Sequence, residues 1–322
     1  MKKYILIVIA VLLAGGLNAC GSVPGAGDDR ISIVTTIFPE YDWVMNILGD
    51  ASGGADVTLL LDNGVDLHSY QPTASDILKI SSCDIFIYVG GESDEWVKDA
   101  LKEAVNKDMV VINLLDVLGD SVREEETVEG MQEDHSEEAE EGEKEYDEHV
   151  WLSLKNAAVL TDSIAKALAG ADPSNAETYS ANATAYIEKL NALDAEYRDV
   201  TVNAPVKTLL FADRFPFAYM TADYGLTYYA AFAGCSAETE ASFETITFLA
   251  DKADELSLNA VMTIEGTDHR LAESVVNNTA DKDLKILTLD SLQSVTSRDI
   301  KNGVTYLSVM EDDLNVLKEA LK

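Results

Sequence analysis

The run Asp84-Ile-Phe-Ile-Tyr-Val89, closed by Gly90 and Gly91, is a nearly continuous apolar strand, and the segments on either side of it alternate in kind. Upstream, Ile31 to Thr36 alternates and is rich in β-branched residues, so it reads as a strand. Tyr41 to Leu48 has helical spacing, Val57 to Leu61 is strand-like, and Ala74 to Ile80 fits a helix with Thr73 as its N-cap. Downstream, Glu95 to Ala104 is helical and Met109 to Ile112 is another strand. Strands that alternate with helices predict a parallel α/β lobe.

The second half repeats this grammar. Strands are expected at Val206 to Phe211, Leu226 to Ala231, Ala260 to Ile264 and Lys285 to Leu289. Helices are expected at Phe217 to Asp223, Phe243 to Leu256, Leu271 to Asn277 and Val304 to Leu321. Between the halves, Lys155 to Ala169 is helical, and Asp172-Pro173 opens a helix whose apolar positions recur from Asn175 to Val200, about seven turns. The expected fold is α/β: two similar lobes with mainly parallel sheets, joined by a long backbone helix. The lobes are placed at 31–172 and 204–322, with the linking helix at 173–203.

The amino terminus reads as an export signal. Lys2 and Lys3 precede an apolar stretch from Ile5 to Leu13, too short to span a bilayer, and Ala19-Cys20 forms a lipoprotein cleavage site. Residues 1–19 are the expected signal peptide, Cys20 the expected lipid-bearing residue, and 20–30 a flexible tether. The chain is then exported and held at the outer face of the cell membrane. It carries 23 Lys and Arg against 58 Asp and Glu, a net charge of −35. Such a surface repels nucleic acid. Cys83 and Cys235 remain after processing; an exported pair could form a disulfide, and Cys83 sits in an apolar run that favours burial.

Residues 124–148 hold fourteen Asp or Glu and one Lys, with no apolar periodicity. They predict a mobile, solvated loop. Its carboxylates and His135 could also collect cations weakly. The chain has only four histidines, which makes the search for a site tractable. His68 lies in a strand-to-helix loop and His149 at the far edge of the acidic segment. Asp213 and Asp290 each follow a strand. Loops past the carboxyl ends of parallel strands are where such lobes bind ligands, and two imidazoles with one or two carboxylates suit zinc or manganese.

These segments resemble the metal-specific substrate-binding proteins of zinc and manganese ABC transporters. Gly64-Val-Asp66-Leu-His68-Ser-Tyr70-Gln-Pro72 is similar to the loop that supplies the family's first ligand, with Leu67 where the family has proline. Asp147-Glu-His149-Val-Trp151-Leu152 is similar to the motif of the second, with Glu148 in place of proline. Asp172 to Tyr179 resembles the start of the family's backbone helix, Ala237 to Ser242 a Pro-Glu-x-Glu-Pro-Ser segment, and Leu289-Asp290-Ser-Leu292 the carrier of the last ligand.

The third segment departs. The family places a His or Glu in a stretch that ends in Tyr-Gly-Leu; here Phe211-Ala-Asp213-Arg214-Phe-Pro-Phe-Ala-Tyr219 precedes Tyr224-Gly225-Leu226. Either Asp213 replaces the family ligand, or the site uses fewer protein ligands plus water; Asp213 equally fits a helix cap or a pair with Arg214. Glu265 matches a family glutamate beside the site, as a supporting or spare ligand, while His269 matches none.

The resemblance implies a monomeric, non-enzymatic carrier with its metal in a cleft between the lobes. His68 and His149 come from one side, Asp213 and Asp290 from the other. The cargo is Zn2+, with Mn2+ the alternative, and the partner is the permease of an ABC metal importer. Two other readings stay open. One is a surface adhesin that binds through the acidic loop. The other is a zinc hydrolase, although no His-Glu-x-x-His motif is present.

Overall fold

The computed structural model describes residues 30–132, 145–236 and 240–322. Cys20 and the signal, His135 and Ala237–Thr239 lie outside the described residues.

The N-terminal lobe runs β1 (Ile31–Thr35), α1 (Phe38–Leu48), β2 (Ala55–Leu59), α2 (Ala74–Ser82), β3 (Ile85–Tyr88), α3 (Val97–Lys102), β4 (Val110–Asn113) and α4 (Leu114–Leu118). Its four strands are parallel in the order β2-β1-β3-β4. Two long helices follow, α5 (Leu154–Ala171) and α6 (Ala176–Asn203). The C-terminal lobe runs β5 (Thr208–Phe215), α7 (Ala218–Tyr224), β6 (Thr227–Ala233), α8 (Phe243–Glu255), β7 (Ala260–Ile264), α9 (Arg270–Asn278), β8 (Lys285–Leu289), α10 (Ser297–Lys301) and α11 (Tyr306–Ala320). Its parallel order, β6-β5-β7-β8, repeats that of the first sheet. In both, the strand order reverses at the middle pair. A ligand crevice forms outside the carboxyl ends of the strands at such a point.

The helix expected from Tyr41 begins earlier, at Phe38. Pro39 sits in the first turn, where its missing N–H costs nothing, and the buried Glu40 carboxylate accepts the N–H groups of Thr36 and Ile37. Thr73 caps α2 as expected, in a reciprocal pair with Asp76. The backbone helix α6 has 28 residues, about 42 Å at 1.5 Å per residue. It packs on α5 and α1 and reaches α7 and α11. Its tyrosines tie it to both halves: Tyr186 Oη donates to Asp42 of α1 at 3.2 Å, and Tyr197 Oη to the Met310 carbonyl of α11 at 2.6 Å. One apolar cluster runs through both lobes around this helix. A second lies under α8 and α9, on the other face of the C-terminal sheet.

Loops also stitch the lobes together. Ser297 N donates to the Asp62 carbonyl at 2.8 Å, and Asn63 pairs with Thr296. Trp151 Nε1 donates to the Ser291 carbonyl at 2.9 Å, and Tyr306 Oη, on α11, donates to the Trp151 carbonyl at 2.7 Å.

The acidic segment departs from expectation. Its described ends form structure rather than a solvated excursion. Glu124 pairs with Tyr146 as an antiparallel bridge, and Glu125 N and Asp147 N donate across the pair, to the carbonyls of Glu145 and Arg123. Gly130, at φ +86°, lies against Phe248 of α8, so close that a Cβ would stand 2.0 Å from the ring. The Gln132 side chain both donates to the Glu240 carbonyl and accepts from Ser242 N. Backbone pairing, a glycine contact and one amide side chain carry this docking, and none of them registers in composition.

Candidate metal centre

Each described histidine of the N-terminal lobe is set by the same local device. Asp66 caps a one-turn 3-10 helix, and its Oδ1 accepts His68 N at 2.9 Å. Asp147 stands two residues before His149, and its Oδ1 accepts both His149 N at 2.8 Å and Nδ1 at 2.9 Å. An aspartate that bonds the backbone two residues on is an Asx turn. The Asp-x-His spacing of both motifs therefore has a geometric cause: the turn fixes the direction in which the imidazole leaves the chain.

The two rings face each other, with Nε2 atoms 3.1 Å apart. Two nitrogens on a tetrahedral zinc at 2.0–2.1 Å would be about 3.3 Å apart, so the imidazoles already stand at the spacing of two ligands on one ion. Their outer nitrogens are engaged. His149 Nδ1 is held by Asp147, and His68 Nδ1 by Ser93 Oγ at 2.8 Å, with Glu148 Oε2 at 3.5 Å. Partners of this kind turn the free Nε2 lone pairs inward and raise ligand basicity. Glu148, which stands where the family has proline, braces the two loops against each other. Its Oε1 accepts Ser93 N at 2.9 Å, and it fills the space over Gly91, where a Cβ would lie 2.2 Å from Oε1.

Electrostatics separate the two rings. Burial pushes His68 down to about 3, helped by the neighbouring His149, so it is a neutral donor across the physiological range. Burial, the largest single influence, opposes the charged form of His149 as well, but the hydrogen bond to Asp147 and the charges of Asp147, Glu148 and Glu125 together outweigh it and raise this imidazole above its ordinary value. A metal bound there would displace a proton from His149 wherever that ring is charged.

The carboxylates expected from the C-terminal lobe stand apart from this pair. Strand β5 has a register break between Phe211 and Arg214, and Asp213 lies in it. Its Oδ2 accepts Ile264 N at 3.2 Å and its Oδ1 accepts Arg214 N at 2.9 Å, so the side chain fills a gap in the ladder between β5 and β7. Bulges redirect side chains next to sites, and here Arg214 is sent to Asp66 Oδ2 at 2.8 Å. Burial pushes the Asp66 carboxyl up, but Arg214 and His68 together hold it below the usual range. Asp290 ends β8; its Oδ1 accepts Leu292 N at 2.8 Å. Burial, then the neighbouring Glu265, push it up to about 7. Glu265 is tied to the N–H and hydroxyl of Ser291. His269 is half-buried at the start of α9, with its Nε2 3.4 Å from Thr288 Oγ1.

One residue was missed. Among the described residues, the single group of three His, Cys, Asp or Glu side chains whose ligand atoms all lie within 4.8 Å of one another is His68, His149 and Cys235. Cys235 is a free thiol, as is the buried Cys83. Burial and the nearby Glu125 and Glu148 push the Cys235 thiol well up. It follows β6 in a strand-end loop, the position that singled out Asp213 and Asp290. That placement, applied to every ligand-type side chain, would have included it. His68 and Cys235 border a cavity of about 480 Å3 whose wall also carries Glu92, Glu95 and Glu125, while His149 is fully buried behind it.

The match to known proteins follows this geometry. The family model described as ZnuA, zinc-uptake complex component A, periplasmic, matches residues 33–320. The chain belongs to that family. It is 35% identical over 322 residues to the zinc-binding lipoprotein AdcA of Streptococcus pneumoniae, a match that covers 99% of the chain and 61% of that protein. It is 30% identical over 316 residues to the high-affinity zinc uptake system protein ZnuA of Bacillus subtilis, covering 97% and 94%. The chain thus spans 61% of the length of the streptococcal relatives it matches. Among solved structures, the Zn(II)-bound ZnuA-like domain of S. pneumoniae AdcA aligns with a TM-score of 0.71 at 30% identity, over 91% of this chain and 99% of that one. The B. subtilis metal-dependent lipoprotein YcdH aligns at 0.73 and 27%, again over 91% and 99%.

Proposed function

We propose that this ZnuA-family chain captures Zn2+ outside the cytoplasm and hands it to the permease of an ABC importer, as a carrier rather than a catalyst. The observation that carries the reading is the facing pair His68 and His149, with Nε2 atoms 3.1 Å apart and outer nitrogens held by Asp147 and by Ser93. The zinc-binding and zinc-uptake names of the relatives support the same cargo. A lipid on Cys20 anchors the chain to the outer face of the membrane.

On the C-terminal side we propose Asp290 ahead of Asp213 as a metal-facing carboxylate. Both oxygens of Asp213 already accept backbone N–H groups. Asp290 stands beside Ser291, whose carbonyl is bonded by Trp151, and the Trp151 ring packs against His149 with centroids 5.3 Å apart. A cation there would also relieve the repulsion between Asp290 and Glu265. Glu265 supports the strand end.

Calorimetric titration of the chelator-stripped chain with zinc and with manganese tests the reading. One tight zinc site is expected, weakened by roughly 100-fold or more in a His68→Ala, His149→Ala double variant, beyond what losing an outer partner alone costs. No tight site for either metal would overturn it.

A further inference from the structure

We infer that Cys235 supplies the third protein ligand, so that the chain holds its cargo with two imidazole nitrogens and one thiolate, beside the Asp290 carboxylate proposed above, and selects thiophilic cations over manganese. The inference rests on the proposed role of His68 and His149 and adds what the C-terminal lobe contributes to their site.

The loop after β6 is built to approach the pair. Gly234, next to Cys235, presses on His149: a Cβ there would stand 3.1 Å from Cε1 of the imidazole and 2.9 Å from the Phe215 carbonyl. Cys235 N donates to Glu125 Oε1 at 3.0 Å, so the docked start of the acidic segment fixes the loop from the other side. In a tetrahedral site with Zn–S near 2.3 Å, a sulfur and a nitrogen are about 3.6 Å apart. The three ligand atoms lie within 4.8 Å of one another, so roughly 1 Å of closing completes the set.

Neither side chain of the β5 segment competes with the thiol for the position. The segment where the family carries a His or Glu holds Arg214, a cation without a lone pair to donate, turned away to Asp66. Asp213 is committed to backbone N–H groups. When zinc binds, the S–H proton of Cys235 leaves to solvent and the sulfur electron pair forms the bond to the metal; no redox partner is needed. A thiolate favours zinc and other soft or borderline ions, whereas manganese prefers oxygen donors.

Cobalt(II) reads this directly, because a thiolate ligand gives a charge-transfer band in the near ultraviolet that nitrogen and oxygen ligands do not. The chain loaded with one Co2+ should show the band. Cys83→Ser should keep it and Cys235→Ser should lose it, with zinc affinity down by roughly 10- to 100-fold. In the unaltered chain, zinc should protect one thiol from alkylation, a measurement that does not depend on the variant folding. Bound cobalt without the band, and no protection by zinc, would overturn the thiolate while leaving the two-histidine site standing. Failure to bind either metal would overturn both readings.

Discussion

In the N-terminal lobe, His68 and His149 hang on aspartates two residues upstream, and the resulting rings meet at 3.1 Å. In the C-terminal lobe, which repeats the same strand order, Asp213 spends both carboxylate oxygens on backbone N–H groups and Asp290 spends one. The difference teaches that a shared topology places strand ends at the cleft but does not decide which side chains are free to bind there. In one lobe aspartates orient imidazoles; in the other they mend the ends of strands. Exchanging the roles of such residues by mutation is therefore the sharpest way to break the comparison.

The largest effect is expected from His149→Ala against Asp290→Asn. Loss of the imidazole should weaken zinc by about 100-fold or more, while the amide at Asp290 should cost no more than about 10-fold. Competition against a chromophoric chelator measures both. Equal losses would mean that the C-terminal lobe binds as strongly as the N-terminal one, and the asymmetry between them would be gone.

Asp213→Asn sharpens the contrast from the other side. If Asp213 mends the break in β5, zinc affinity should stay within about twofold of the parent while unfolding becomes easier by about 1 kcal/mol, the worth of a weakened hydrogen bond. Denaturant titration and chelator competition on the same preparation separate the two. A large loss of affinity at unchanged stability would make Asp213 a ligand after all.

These contrasts also mark how far the site was legible. The strands at Ala260–Ile264 and Lys285–Leu289 announce themselves as short apolar runs, and the Asp-x-His pairs are local, so spacing alone exposes them. The job of Asp213 is not local. It depends on a register break between β5 and β6 that brings the Ile264 N–H within reach, and sequence spacing does not encode cross-strand register. Cys235 was hidden for a related reason: its two partners are more than 80 residues upstream, and only the packing of Gly234 on His149 brings it to them. The docking of residues 124–132 was masked by their own charge, because composition does not register the backbone pairing, the Gly130 contact or the single long-range partners of Glu125 and Gln132.

The smallest effect on zinc binding is expected from buried carboxyls that serve the fold. Two of them are Glu40 under β1, in the N-terminal lobe, and Asp313 of α11, in the C-terminal lobe, whose Oδ1 accepts Asp290 N. Burial, then the charge of Asp94, push Glu40 up to about 8 from its ordinary 4.5. Between those two values the folded chain keeps a proton that the unfolded chain has released. Stability from this group is therefore fully present below pH 4.5 and is lost as pH rises through about 8, by up to about 1.4 kcal/mol per pH unit. Glu40→Gln, which keeps an oxygen to accept the N–H groups of Thr36 and Ile37, should remove about one proton's worth of that slope in denaturant titrations across the window. An unchanged slope would move the pH sensitivity to the other lobe, where burial and the charge of Asp290 act on Asp313, and Asp313→Asn would then flatten it instead.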